Sequence, residues 1–380
     1  MKYVNEFRDP EAAQWLLLAI AETVNEIGST KDNPIYIMEI CGGHTHTIFR
    51  YGLDRLISSG VKFIHGPGCP VCILPKAIID ECIKLVQKPG VIFTTFGDAM
   101  RIPGTHKSLI QAKAEGADVR MVYSPLDALA IARSHPDQEV VFFGLGFETT
   151  MPSTALSIQI AAHEALKNFS VFCNHITLPS MIKLLLDDPY TKLDGFIGPG
   201  HVSMVIGTHP YDFISNDYRI PIVVAGFEPL DLLQSVLMVL KQVRDRRAEV
   251  ENQYARVVSE HGNPLSIDAI NNVYEPSSII QFLDFKEINA NRLRIRNNYS
   301  NFDTERKFSI NRCIKTVNLI EPKGCACGQV ITGQTKPIEC PQYGKGCTPE
   351  IPLGPLMVSS EGVCAAYWQY SGIRTTEISI

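Results

Sequence analysis

Two cysteines lie three positions apart in Gly66-Pro-Gly-Cys-Pro-Val-Cys72, a segment rich in glycine and proline. The apolar run Val61-Lys-Phe-Ile64 predicts a strand before this segment, and residues 74–86 predict a helix after it. Free N–H groups and the dipole at a helix N-terminus stabilise a negatively charged sulfur. The spacing therefore predicts reactive or metal-binding thiols at Cys69 and Cys72.

A third thiol occupies the equivalent place one strand earlier, in Cys41-Gly-Gly-His-Thr-His46. Asp98, Glu148 and His201 follow other predicted strands. Ligands of parallel α/β sheets bind beyond the carboxyl ends of the strands, so we expect these side chains to line one crevice. The three thiols are soft ligands, which suit low-valent iron, copper(I) or zinc.

A second group of thiols lies near the C-terminus and comprises Cys325, Cys327, Cys340, Cys347 and Cys364. Four thiolates from irregular loops hold an iron–sulfur cluster or a zinc ion. Paired Cys-x-x-Cys knuckles are absent from this region, and the unequal spacings favour a [4Fe–4S] cluster over zinc or inert buried thiols. The group has one thiol more than the four that a cluster needs. The spacing leaves open whether Cys325 or Cys327 is a redox thiol beside the cluster.

Composition excludes several classes of protein. The 380 residues are 45% hydrophobic and 20% charged, as in soluble globular proteins, and the net charge of -5 gives no basic footprint for nucleic acid. No apolar run reaches the about 18 residues of a membrane span, and the N-terminus lacks the apolar core of a signal peptide. We therefore expect a cytoplasmic protein, in which eleven cysteines indicate catalysis or metal binding rather than structural disulfides.

Short β-branched runs alternate with helical stretches from residue 30 to residue 235, which predicts an α/β fold with two doubly wound parallel-sheet domains. We expect a first domain over residues 1–125, a second over 126–235, and an irregular, mostly helical iron–sulfur domain over 236–380. Residues 230–254 predict one long amphipathic helix.

Other candidates have an ordinary structural interpretation. Cys82 and Cys173 are expected to be small buried residues, one within a helix and one at a strand end. His65 and His175 are expected to be structural side chains. Gly198-Pro-Gly-His201 lacks the lysine of a phosphate-binding P-loop.

Several of these motifs together resemble the HypD family of [NiFe]-hydrogenase maturation factors, and they run through nearly the whole chain: Cys41-Gly-Gly-His-Thr-His46, Gly66-Pro-Gly-Cys-Pro-Val-Cys72, Phe96-Gly-Asp98, Gly146-Phe-Glu-Thr-Thr150, Gly198-Pro-Gly-His201 and the terminal cysteines. The resemblance implies a scaffold on which the Fe(CN)2CO group of the hydrogenase is built. It implies two partners. One is the small chaperone HypC, and the other is HypE, which delivers cyanide as a thiocyanate.

The resemblance also implies roles for individual thiols. It implies that Cys41, Cys69 and Cys72 serve iron binding and redox chemistry. It also implies that the ligands of the [4Fe–4S] cluster are Cys325, Cys340, Cys347 and Cys364. Cys327 then matches a thiol next to the cluster. Some relatives pair that thiol with a second cysteine, where this chain has Leu356, so a cluster-side disulfide lacks its partner here.

The resulting hypothesis is a redox-active assembly scaffold rather than a conventional turnover enzyme. Cys41 would help to hold the transient Fe(CN)2CO iron, while Cys69 and Cys72 cycle between dithiol and disulfide. His44, Asp98 and Glu148 would position or protonate cyanide-derived groups. Two alternatives are a non-redox docking platform for HypC and HypE, and a thiol oxidoreductase of the ferredoxin–thioredoxin reductase type.

Overall fold

A computed structural model describes residues 5–188, 191–277, 292–310, 324–331 and 333–370, together with the backbone of 280–282 and 286–288. The strands of this part of the chain are β1 Ile35–Glu39, β2 Val61–His65, β3 Val91–Thr95, β4 Val119–Met121, β5 Glu139–Gly146, β6 Phe169–His175, β7 Gly195–Pro199, β8 Ile222–Ala225, β9 Val250–Asn252, β10 Tyr274–Ser277, β11 Ile280–Phe282, β12 Lys286–Ile288 and β13 Arg292–Ile295.

Within the described residues, β1, β2 and β7–β9 form a five-stranded parallel sheet in the order β2-β1-β7-β8-β9. A four-stranded parallel sheet has the order β4-β3-β5-β6. We call them sheet A and sheet B. Two antiparallel pairs, β10 with β13 and β11 with β12, follow later in the chain. The predicted α/β fold with two parallel sheets is confirmed.

The strands are grouped differently from the predicted division of the chain at residues 125 and 235. β1 and β2 pair with β7 to β9, while β3 and β4 pair with β5 and β6. Periodicity along a sequence predicts strands but not which of them pair, because pairing is set by packing between distant segments. Residues 311–323 and 371–380 of the predicted third domain lie outside the described residues.

The predicted helix over residues 230–254 is shorter in the structure. It spans Pro229–Arg244, and the chain then forms β9 at the edge of sheet A. Its apolar face is buried through Leu232, Val236 and Val239. This helix belongs with sheet A, not with the C-terminal region.

The α-helices of the described residues are α1 Pro10–Ile27, α2 Gly42–Tyr51, α3 Leu53–Leu56, α4 Lys76–Val86, α5 Gly97–Arg101, α6 Leu109–Ala114, α7 Pro125–Ser134, α8 Met151–His163, α9 Leu178–Leu186, α10 Gly200–Ile206, α11 Asp212–Tyr218, α12 Pro229–Arg244, α13 Pro264–Val273, α14 Thr304–Lys307, α15 Cys327–Ile331 and α16 Val363–Tyr370. Short 3-10 turns occur at Asn5–Phe7, Val71–Ile73, His209–Tyr211, Asn297–Phe302, Pro337–Glu339 and Pro355–Met357. Among these described helices, none has both the length and the apolar character needed to cross a bilayer.

The C-terminal segment, residues 324–370, is called the tail below. It consists of short helices joined by loops, and its last helix, α16, packs against α2 beside sheet A. The rings of Phe49 in α2 and Tyr367 in α16 meet edge to face with centroids 5.2 Å apart. The tail therefore returns to the carboxyl end of β1, where the Cys41 motif begins.

Candidate functional site: a disulfide-forming pair enclosed by the tail

Cys41 is the N-cap residue of α2 and is buried. Burial raises the pKa of the Cys41 thiol to about 12, and the nearby backbone N–H groups of Gly43 and His44 only partly oppose this shift. The helix N-terminus alone would favour a thiolate. Because burial dominates, Cys41 holds its proton near neutral pH.

The segment with the other two thiols, residues 66–72, is called the thiol loop. Gly68 lies against the backbone of Cys41: a Cβ atom at Gly68 would be 2.5 Å from the Cys41 nitrogen. Cys69 and Cys72 are both buried and form a disulfide with 5.3 Å between their Cα atoms. The predicted meeting of the Cys41 motif with this pair is thus present in the fold.

One expectation about the thiol loop is wrong. The helix after it, α4, begins at Lys76, with Pro75 as its N-cap, so neither cysteine lies at that helix N-terminus. Cys72 lies instead in the 3-10 turn Val71–Ile73. Pro75 breaks the regular structure between the turn and the helix, because proline supplies no N–H donor and disfavours helical geometry in the residue before it.

The tail closes the disulfide off from solvent. A narrow cavity of about 10 Å³, enough for one water molecule, lies beside the pair. On one side it is lined by the thiol loop and by Gly42 and Thr45, and on the other by Leu356 and Gly362 of the tail. A Cβ atom at Gly362 would lie 3.1 Å from the Cys72 sulfur. Access to the disulfide therefore depends on how the tail is seated.

Asp98, which follows a strand of sheet B, contacts the tail that encloses the disulfide. It lies in α5, directly after β3, and its carboxylate accepts a hydrogen bond of 2.7 Å from the hydroxyl of Ser359 in the tail. Burial, followed by the charge of Asp98, raises the pKa of Glu361. The side chain of Glu361 packs on Gly42, next to Cys41. The predicted residue Asp98 thus reaches the site through the tail.

Glu39 is a site residue that sequence reasoning missed. It is buried at the end of β1 and accepts hydrogen bonds from the Cys41 N–H, at 3.0 Å, and from the Thr45 hydroxyl. The His65 ring lies 2.7 Å from the same carboxylate. Its signal in the sequence is a carboxylate inside the otherwise apolar run Ile35-Tyr-Ile-Met-Glu-Ile40. Glu39 anchors the turn that presents Cys41.

His44 and His201 flank one aromatic ring. Phe227 stacks on His44 with centroids 4.8 Å apart and on His201 with centroids 3.9 Å apart. Nε2 of His44 lies 3.2 Å from the Ala225 carbonyl oxygen, while its buried Nδ1 has no hydrogen-bond partner. Burial lowers the pKa of His44, so the ring is neutral near pH 7. The structure thus brings both predicted histidines to the carboxyl ends of β1 and β7.

Glu148 lies after β5 and is buried. Its carboxylate accepts the Leu178 N–H at 3.1 Å, but burial dominates and raises the pKa of Glu148 to about 7. The hydroxyl of Tyr211 accepts a hydrogen bond from Ser203, and the charges of Glu148 and Cys41 add to burial in raising the pKa of Tyr211. Tyr211 therefore lies within electrostatic reach of both, a link that no sequence motif indicated.

The tail thiols also come together. Burial, followed by the charges of Cys347, Cys325 and Cys340, raises the pKa of Cys364, so these three thiols lie within electrostatic reach of Cys364. The Cys325 sulfur lies 3.1 Å from that of Cys327, and this contact, with burial, raises the pKa of Cys327. A Cβ atom at Gly354 would lie 2.8 Å from the Cys325 sulfur, so only glycine fits there.

None of the four residues given an ordinary structural interpretation lines the cavity. Cys82 is buried in α4, and Cys173 is buried in β6, as predicted. His175 is buried, and burial lowers its pKa to about 3, so it is neutral. His65 contacts Glu39 and the ring of Phe49, with centroids 4.8 Å apart, and thus supports the turn at Cys41.

Comparison with known proteins identifies the family of this chain. The sequence profile described as "HypD: Hydrogenase formation hypA family" matches residues 15–371. The chain is 64% identical over 377 residues to "Hydrogenase maturation factor HypD" of Rhodobacter capsulatus, covering 99% of this chain and 100% of that protein. It is 49% identical over 370 residues to the protein of the same name in Escherichia coli K12, covering 97% and 98% respectively. A third, from Azotobacter vinelandii, is 44% identical over the full length of both chains. This chain therefore belongs to the HypD family.

Proposed function

We propose that this protein is a hydrogenase maturation factor, a scaffold on which iron acquires cyanide and carbon monoxide ligands before its transfer to a hydrogenase. Its relatives carry the name of maturation factor. The partners that the family resemblance implies are a HypC-type chaperone and HypE as the cyanide donor. The observation that carries the proposal is the disulfide-forming pair Cys69 and Cys72, packed against the Cys41 turn and enclosed by a cysteine-rich tail.

Cys41 is the proposed ligand for the iron that is being assembled. Low-spin iron with cyanide and carbon monoxide ligands is soft and favours thiolate over carboxylate. The thiol must lose its proton on binding, because only the thiolate is a ligand. Glu39 fixes the Cys41 turn through the Cys41 N–H and the Thr45 hydroxyl. A HypC-type chaperone would supply further ligands.

Cys69 and Cys72 are the proposed reductant for cyanide release. In a donor thiocyanate the S–CN bond breaks, and the donor sulfur leaves as a thiol with one of the two thiol protons. Cyanide leaves with the other proton, as HCN. The two cysteines lose two electrons and join in a disulfide, so atoms and electrons balance. The bonded pair in the structure corresponds to the oxidised end of this step.

The tail thiols fit a [4Fe–4S] cluster better than a zinc ion. Zinc held by four thiolates at about 2.3 Å requires sulfurs about 3.8 Å apart. Within the described residues, no three of Cys325, Cys340, Cys347 and Cys364 have their sulfurs all within 4.8 Å of one another. We propose these four as the cluster ligands, with Cys327 beside them. When bound, such a cluster supplies electrons one at a time.

Three polar side chains are proposed to handle protons and to orient cyanide-derived groups. Glu148 can both hold and release a proton near neutral pH, because burial raises its pKa to about 7. Neutral His44 has a buried ring nitrogen without a hydrogen-bond partner, which is available to a bound group. Asp98 holds the tail through Ser359 and so controls how the cavity is closed.

The test compares Cys69→Ser and Cys72→Ser with Cys173→Ala, a buried cysteine away from the site. In cells that lack the native gene, the first two variants should abolish hydrogenase maturation while their purified proteins keep full iron and sulfide content. The control should retain both. An infrared spectrum of the protein purified with its chaperone should show CN and CO stretches, which ordinary side chains lack.

Each other outcome has a definite meaning. Normal maturation with Cys69→Ser would favour a non-redox docking platform and end the dithiol proposal. Disulfide reduction without any chaperone would favour a free-standing thiol oxidoreductase. Loss of iron and sulfide in the thiol-loop variants would contradict two separate sulfur sites.

A further inference from the structure

A group of metal-ligating side chains lies outside the site described above. His209, Glu260 and His261 are exposed, and one ligand atom from each lies within 4.8 Å of those of the other two. The rings of His209 and His261 have centroids 5.1 Å apart. Two imidazoles and a carboxylate are a common ligand set for zinc and related ions.

The geometry points to a second metal site here: we propose that these three side chains bind one divalent late first-row transition ion, with zinc as the model case. Nε2 of His209 lies 3.3 Å from a Glu260 carboxylate oxygen. Tetrahedral ligands at 2.0–2.1 Å from a zinc ion are about 3.3 Å apart. The spacing therefore suits two ligands of one ion.

The His209 ring is already oriented for this role. Its other nitrogen, Nδ1, lies 3.3 Å from the carboxylate of Asp212, one turn further along the chain. A carboxylate on the distal nitrogen fixes the tautomer and the plane of a ligating imidazole and makes it more basic. Asp212 is thus a positioning residue, while Nε2 faces Glu260.

The two loops that carry the ligands are held rigidly together. The Thr208 N–H donates to the Glu260 carbonyl oxygen at 3.0 Å, and the Asn263 N–H donates to that of Val205 at 2.9 Å. Gly207 and Gly262 meet between them with positive φ angles of 79° and 69°. A Cβ atom at Gly207 would be 2.6 Å from the Gly262 nitrogen, so only glycine permits this approach. The ligands need little rearrangement to bind an ion.

The proposed metal site has an open coordination position, and the turn that carries His209 also carries the buried Tyr211. Because all three ligands are exposed, a water molecule or a side chain of another protein can complete the coordination. His209 lies in the 3-10 turn His209–Tyr211, and the buried end of that turn, Tyr211, lies within electrostatic reach of Glu148 and Cys41. A bound ion would stiffen this turn.

The test uses the full-length, cluster-loaded protein, prepared anaerobically and given one equivalent of ZnCl2. X-ray absorption of wild type should show a nitrogen and oxygen shell at about 2.0–2.1 Å with imidazole scattering. The double variant His209→Asn, His261→Asn should lose that shell and bind zinc at least about 100-fold more weakly. Asp212→Asn should weaken binding about 10–100-fold, as expected for an outer-shell carboxylate. His106→Asn, an exposed histidine elsewhere, should change nothing.

Thermal unfolding without metal should be the same for wild type and the double variant, because His209 and His261 are exposed. Excess zinc should raise the Tm of wild type but not of the double variant. A sulfur shell near 2.3 Å in wild type would assign the zinc to thiols and overturn the proposal. Equal zinc uptake by wild type and the double variant would overturn it as well.

Discussion

The hydroxyl of Ser359 donates a hydrogen bond to the Asp98 carboxylate at 2.7 Å, across 261 residues of sequence. Asp98 follows β3 of sheet B, while the turn that the tail covers follows β1 of sheet A. The same hydroxyl accepts the Glu361 N–H at 3.2 Å. One buried serine therefore ties the tail to sheet B and fixes the segment that packs on Gly42.

Ser359→Ala should loosen the tail. The change removes a hydrogen bond to a charged acceptor, so we expect the free energy of unfolding to fall by about 1–2 kcal/mol. The Cys69–Cys72 disulfide should also be reduced faster by an external thiol, because the tail shields it. Urea denaturation and the rate of reduction by dithiothreitol measure the two effects. Ser360→Ala, exposed and adjacent, is the control, and equal reduction rates in the two variants would contradict the shielding role.

Gly68→Ala should separate the thiol loop from Cys41. The new Cβ atom would meet the backbone nitrogen of Cys41 at 2.5 Å, and backbone cannot move aside as a side chain end can. We expect a cost of about 1–3 kcal/mol in the free energy of unfolding, together with loss of maturation activity. Gly97→Ala is the matched control, since its Cβ atom first meets the flexible Met121 side chain at 3.0 Å. A fully active Gly68→Ala protein would mean that the close approach is not needed.

Much of the site was predictable because parallel α/β folds place functional residues at the carboxyl ends of strands. Cys41, Asp98 and Glu148 each follow a strand. Asp98 accepts a hydrogen bond from the tail that lines the cavity, and Cys41 and Glu148 both lie within electrostatic reach of Tyr211. The strand runs themselves were readable from β-branched apolar segments. The grouping of strands was not, because the crossover that returns β7 to the side of β1 is decided by contacts between distant segments.

The role of the tail was also beyond sequence reasoning. Its sequence indicated metal binding, but nothing in its spacing placed Leu356 and Gly362 over the disulfide. Glu39 was missed since a single acidic residue in an apolar strand has no motif. The burial of Cys41 reversed an expectation as well: local sequence showed the helix N-terminus, whereas the desolvation that dominates its pKa comes from tertiary packing.

Glu148 should make stability depend on pH. Burial raises its pKa from 4.5 to about 7 in the folded state, so the folded protein keeps a proton that the unfolded chain loses between these values. Stability therefore falls as pH rises from 4.5 to 7 and is level above that, with a total of roughly 3 kcal/mol. Glu148→Gln cannot ionise and should lack this fall.

The measurement is the free energy of unfolding in urea at several pH values for wild type and Glu148→Gln. As pH rises to 7, the free energy of unfolding of wild type should fall relative to that of Glu148→Gln. Glu22→Gln, at an exposed position of α1, should follow wild type throughout. A constant offset between wild type and Glu148→Gln would show that folding does not change the pKa of Glu148.

Leu356→Cys should create a cross-link that this chain lacks. The Leu356 N–H donates to the Cys327 sulfur, and its buried side chain lines the cavity beside Cys72. Leu356 therefore lies between the tail thiols and the thiol loop. With oxidised glutathione as oxidant, the introduced thiol should form a disulfide with Cys327, detected by peptide mapping under non-reducing conditions. Loss of the leucine side chain should cost about 1–3 kcal/mol in the free energy of unfolding.

Two controls should give no such cross-link. The first is Leu356→Ala, which opens the same space without a thiol, and the second is Leu356→Cys combined with Cys327→Ser. A cross-link to Cys72 instead would mean that residue 356 serves the thiol loop directly.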